Sequence, residues 1–184
     1  MEETIWIERL SPCHGIIRSV LYQDIGINYG DVVLIDGAPI TYHQYGDEEV
    51  PVFPHLSTLR RHKYQVYNFA GTQDEAGQLS SIDEEFEDDT IIYALSENYQ
   101  ELCATCWRDP NADHDHHKDE TQHVVTGKIA APAGTQPSQL LEMLDSLLTT
   151  NESCTIYSPE FCDAAGLADR AKVENRRFQM LVEN

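Results

Sequence analysis

The sequence predicts an α+β fold: a mixed or antiparallel sheet with helices packed mainly on one face. Three observations predict it. Short apolar runs with period-two alternation are bounded by Gly and Pro, as strands are. Clear amphipathic helices are confined to the last third of the chain. Strands and helices alternate irregularly, unlike the regular winding of a parallel α/β sheet. At 184 residues the chain reads as one α+β domain over 1–184, with 72–90 as the place for any division into two lobes. "DVVLIDGAPI…PHLSTLRRHKYQVYN" and "HVVTGKIAAPA…SQLLEMLDSLLTTNESCTIYS" share the order strand, Ala-Pro, helix, strand. A duplicated strand-helix-strand unit is therefore one way to build the fold.

The elements follow in order. "GIIRSVLYQDIG" suits a strand or a short helix, because its periodicity does not decide. "GDVVLIDGAPI" reads as a strand from Val32 to Ile35, closed by Pro39. "TYHQYGDEEVPVFP" reads as a polar loop. "HLSTLRR" suits a short helix, with Leu56 and Leu59 on one face. "YQVYNFAG" alternates as a strand does. The acidic centre, "TQDEAGQLSSIDEEFEDDT", reads as a solvated loop or helix end. "TIIYALSENYQELCATCW" suggests a hairpin, with Ile91–Leu95 as one strand, "SEN" as the turn and Glu101–Trp107 as the return. "HVVTGKIAAPAG" is a further strand, and "SCTIYS" a short one. "PSQLLEMLDSLL" places Leu140, Leu144 and Leu147 on one helix face, widened by Leu141 and Leu148. The last helical segment starts at Ser158 as N-cap, with Pro159 at the first position and Glu160 at the positive end of the dipole. Phe161, Leu167, Ala171, Phe178 and Leu181 line one side of it, and Gly166 is where it splits.

Composition narrows the function classes. Lys and Arg number 12 against 32 Asp and Glu, a net charge of −20. Such a surface repels nucleic-acid phosphates and anionic membranes. It attracts a basic protein and speeds the encounter. The five cysteines form no even disulfide set, which suggests a reducing compartment and hence the cytoplasm. The acidic N-terminus lacks the pattern of a secretory signal. No Gly-rich phosphate loop, G-x-S-x-G or H-E-x-x-H sequence appears.

The densest chemistry lies in "CATCWRDPNADHDHHKDETQH". Cys103-x-x-Cys106 has zinc-knuckle spacing, and His114, His116, His117 and His123 are candidates for the remaining ligands. Asp113, Asp115 and Asp119 are placed to orient imidazoles. "HDHHKD" fails the H-x-H-x-D-H metal pattern, because Lys118 stands where the aspartate should be. A regular strand over Glu101–Trp107 would send the two cysteines to opposite faces, and they could not share an ion. The window is then a polar loop following a strand, a zinc site, or a cysteine–histidine catalytic pair.

Two surface segments fit a basic partner. One is the loop with Tyr42, Tyr45, Asp47, Glu48 and Glu49. The other is Asp83, Glu84, Glu85, Glu87, Asp88 and Asp89 around Phe86, an apolar anchor among carboxylates. In size, acidity and α+β pattern the chain is similar to small bacterial immunity proteins, which neutralise a toxin by binding it. That likeness is one of composition and involves no motif. It implies an acidic cytoplasmic binding protein that docks a basic protein, an immunity-like or antitoxin-like inhibitor, and leans away from an enzyme. The alternative is a zinc-dependent enzyme or zinc-stabilised domain centred on the Cys103–His123 window.

Overall fold

The computed structural model describes residues 3–23, 25–83, 86, 89–109, 112–115 and 120–182, with backbone only at 80, 81 and 120. It is of the α+β class, and its strand pairs are antiparallel. The chain divides into two units, Met1–Tyr64 and Gln65–Asn184, so the division falls before the acidic centre.

In the N-terminal unit, β1 (Ile7–Ser11), β2 (His14–Ile17), β3 (Val32–Ile35) and β6 (His55–Arg60) form a sheet in that order. Alternation in β2 and β3 turns Ile17, Val33 and Ile35 inward, where they join Leu21 and Ile27. Buried Asp31 ties the loop to the sheet. Its carboxylate accepts the Asn28 N–H at 3.1 Å and the His62 N–H at 2.8 Å. Two segments differ from the sequence reading. "HLSTLRR" is strand β6, paired with β3 as Val33↔Thr58 and Leu34↔Ser57. Pro54 favours an extended entry, Ser57 and Thr58 are poor helix formers, and pairing outweighs the Leu56–Leu59 spacing. The strand, Ala-Pro, helix, strand order therefore has no helix in this half. "TYHQYGDEEVPVFP" is not a loop but a hairpin of β4 (Thr41–Tyr45) and β5 (Glu48–Val52). Its two-residue turn is Gly46-Asp47, with Gly46 at φ +59°, where an L side chain is strained.

The C-terminal unit is a sheet in the order β10 (Cys154–Tyr157), β7 (Gln65–Gln73), β9 (Glu120–Ala131), β8 (Ile91–Leu102). Period-two alternation splits its apolar residues into two clusters. Tyr67, Phe69, Ile92, Val125 and Ile129 face the larger one, with α1 (Gln78–Asp83), α3 (Pro137–Thr150) and α4 (Pro159–Ala164). Ala70, Leu102 and Val124 face the smaller one, with Trp107, Phe178 and Leu181. Those last residues come from α2 (Ala104–Arg108) and α5 (Ala168–Val182). Leu140, Leu141 and Leu144 of α3 are buried as their spacing predicts. Gly166, at φ +80°, ends α4, and α5 begins at Ala168. Ser158 is the N-cap of α4, but its hydroxyl donates to the Asn68 carbonyl at 2.7 Å instead of capping.

The hairpin expected over 91–107 is absent. Ile91–Leu102 is one twelve-residue strand that pairs with β9 from Ile91↔Ala130 to Leu102↔Glu120. An irregularity between Ala94 and Ser96 leaves Leu95 out of register, and the turn-like "SEN" after it pairs regularly, from Ser96↔Thr126 to Asn98↔Val124, without reversing the chain.

Candidate metal centre

Leu102, 2% exposed in the smaller cluster, anchors the end of β8. Pairing with β9 stops there, and the chain turns into α2. Cys103 is the N-cap, with extended backbone at φ −78° and ψ 117°. Its carbonyl accepts the Trp107 N–H at 2.9 Å, closing one helical turn. Residues three apart across one turn lie on the same side. The objection that Cys103 and Cys106 point apart therefore falls away, because Cys106 is not in a strand.

Trp107 fixes this turn against the unit. Its ring meets Tyr157 edge-on with centroids 6.0 Å apart, and the Arg177 guanidinium carbon lies 4.8 Å from the ring centre. The same guanidinium donates to the Arg108 carbonyl at 3.1 Å.

His114 completes the group. Its Nδ1 lies 3.0 Å from the Ala112 carbonyl, which can only accept. In the neutral ring Nδ1 therefore carries the proton, and Nε2 turns its lone pair toward the two sulfurs. Nε2 is 3.0 Å from Cys103 Sγ and 3.5 Å from Cys106 Sγ. All three ligand atoms lie within 4.8 Å of one another, so the group could hold a metal ion. Tetrahedral zinc with ordinary Zn–S and Zn–N bonds has S–N edges of about 3.5 Å and S–S edges of about 3.8 Å. The Cys106 pair already has that spacing, and the Cys103 pair must open by about half an ångström. The backbone carbonyl supplies the orienting contact that metal-bound histidines use. The aspartates were expected in that role, and Ala112 takes it.

Hydrogen bonding to Cys103 raises the His114 pKa, with the Ala112 carbonyl adding to the effect. Desolvation and the neighbouring Cys103 push the Cys106 thiol up. A cysteine–histidine nucleophile needs one sulfur beside the imidazole. Here two sulfurs lie near one imidazole nitrogen, an arrangement that could hold a metal ion.

Among the described candidate ligands, His123 does not join this group. His123 sits in β9 opposite Tyr99, three rungs from the end of the β8–β9 ladder. It is 6% exposed, its ring stacks on Tyr99 at 4.5 Å, and its Nε2 is 3.5 Å from Glu97 Oε2. A buried sheet position cannot reach the sulfurs of a turn beyond the strand end. His116, His117 and Asp119 lie outside the described residues.

The two acidic segments also separate. Glu84, Glu85, Glu87 and Asp88 lie outside the described residues. The Asp83 carboxylate accepts the Ile92 N–H at 2.6 Å, which fixes the start of β8. Phe86 is half-buried and packs against the core, so its ring is not an exposed anchor. Asp89 is exposed, with φ +58°. Tyr42, Tyr45, Asp47, Glu48 and Glu49, by contrast, are all exposed on the β4–β5 hairpin. Sequence reasoning missed Trp6, whose ring meets Tyr45 edge-on at 5.0 Å. No local pattern joins residues so far apart in the chain.

Among the described residues, no helix is long and apolar enough to cross a membrane. Comparison of the chain with protein-family models, curated proteins and solved structures finds no match.

Proposed function

We propose that this is a zinc-binding protein in which Cys103, Cys106 and His114 hold one zinc ion in a structural role. The observation that carries the reading is the convergence of both sulfurs on His114 Nε2, with Nδ1 held by a backbone carbonyl. Two thiolates and an imidazole form a borderline-soft donor set, which favours zinc over magnesium or calcium. His116 and His117 are the candidates for a fourth ligand by spacing. The role is structural because of what the ligands are attached to. Cys106 precedes Trp107, which packs on Tyr157 and Arg177. An ion at this point ties His114 to the turn of Cys103 and Cys106 at the end of β8.

The test is elemental analysis of untagged chain purified without chelator. About one zinc per chain is expected for the native sequence, and a stoichiometric loss in Cys106→Ser and His114→Ala. Native protein that stays metal-free after incubation with zinc and removal of the excess would overturn the reading.

A further inference from the structure

The exposed aromatic side chains of the N-terminal unit include a pair that the fold holds in place. Trp6 is 46% exposed and Tyr45 66% exposed. Trp6 does not belong to a loose tail. Its N–H donates to Ser19 Oγ at 2.8 Å, and its carbonyl accepts the Arg18 N–H at 2.9 Å. Its ring stands against Tyr45 with an interplanar angle of 76°, which presents two π-faces at a near right angle.

Register supplies the charge. Tyr45 is directly opposite Glu48 across the hairpin, so both side chains leave the same face. Asp47 lies in the adjoining turn, whereas Glu49 pairs with Gln44 and leaves the opposite face. No Lys or Arg occurs between residues 40 and 59. Negative ring faces beside a carboxylate favour a cation.

We propose that Trp6, Tyr45 and Glu48 form a recognition corner for an arginine side chain presented by a basic segment of a partner protein. The inference concerns a different unit from the zinc centre and does not depend on it. Charge complementarity selects the occupant. A second copy of this chain would bring another −20 and the same acidic turn, and a phosphate or anionic surface would be repelled. Arginine fits better than lysine, because its planar guanidinium stacks on an indole while its N–H fork meets a carboxylate. The chain already uses this chemistry internally, with Arg9 at 4.7 Å over Phe53 and Arg177 at 4.8 Å over Trp107.

The experiment titrates isotope-labelled full chain with an octa-arginine peptide at low and physiological salt, following the two indole N–H resonances. The Trp6 indole and the amides of 41–52 should shift saturably, and the Trp107 indole should not. Trp6→Ser and Tyr45→Ser should each weaken binding about three- to tenfold, the range of a partly exposed cation–π contact. Both side chains are exposed, so the variants should keep the native melting temperature. Glu48→Lys should weaken binding more than Glu49→Lys, although the two change net charge equally. Octa-lysine should bind more weakly than octa-arginine. Shifts confined to the C-terminal unit would overturn the proposal. So would undiminished affinity in the Trp6 and Tyr45 variants, because the peptide would then be reading net charge alone.

Discussion

Replacing Cys106 by Ser removes one of the three sulfur and nitrogen ligands that converge in the C-terminal unit, and its cost follows from linkage. A metal that binds only the folded state stabilises it by about 2.7 kcal/mol when free metal is a hundredfold above its dissociation constant. In a folding unit the size of Gln65–Asn184, one kcal/mol moves the midpoint by about 3–5 °C. Native protein with zinc should therefore melt about 8–13 °C above the same protein in chelator. Cys106→Ser should melt near the chelated value whether or not zinc is added. Trp107 adjoins Cys106 and packs on Tyr157, so its near-ultraviolet circular dichroism reports this unit. Following that band in a Trp6→Phe background, where Trp107 is the remaining tryptophan, separates its transition from that of the N-terminal unit. Equal melting curves for native protein with zinc and with chelator would refute the reasoning.

Four further predictions concern the site and the frame around it. A Cβ at Gly127 would meet the Tyr93 carbonyl oxygen and come within 2.7 Å of the Phe69 ring. Gly127→Ala should cost about 3 kcal/mol in chemical denaturation, since relief requires separating β8 from β9. Arg170 bonds both Asp145 oxygens, at 2.5 and 2.7 Å, and Glu174 at 2.6 Å. Arg170→Met should cost about 2 kcal/mol, mainly by stranding the buried Glu174 carboxylate, whereas a double-mutant cycle with half-exposed Asp145 should return about 1 kcal/mol or less. Burial, with Glu174 beside it, pushes the Cys162 thiol from 9.0 up to about 12. Its unfolded form ionises first, so stability should fall as pH rises from about 9 toward 12. At pH 8 a thiol reagent should find only Cys13 in zinc-loaded protein, should also find Cys103 and Cys106 after chelation, and should reach Cys154 and Cys162 only on unfolding.

The parts of the fold legible in the sequence are those where one local signal dominates. Leu140, Leu141 and Leu144 recur at helical spacing, and Ser158, Pro159 and Gly166 mark the ends of α4. β7 and β9 are legible as strands because both faces of their sheet carry apolar clusters, which gives the consecutive buried residues Phe69–Ala70, Val124–Val125 and Ile129–Ala131. The misread segments are those where pairing overrides local preference. "SEN" looks like a turn, yet three regular pairs with β9 hold it in a continuous strand. The Leu56–Leu59 spacing mimics a helix, yet β3 offers a free edge. Gly46-Asp47 was a legible hairpin signal, obscured by the polarity of the strands around it. At the candidate metal centre, spacing singles out Cys103 and Cys106, but their orientation depends on where β8 ends. That end is set by the ladder with β9, which no local pattern reveals. His123 looked equivalent to His114 in composition, and only the register buries it beneath Tyr99.

The most direct measurement is the absorption spectrum of cobalt(II) added to chelated native protein. Two thiolates and an imidazole around one ion predict thiolate-to-cobalt charge-transfer bands and intense tetrahedral ligand-field bands. These should saturate at one cobalt per chain and be displaced by stoichiometric zinc. Weak octahedral bands without charge transfer, identical in native protein and Cys106→Ser, would contradict the account.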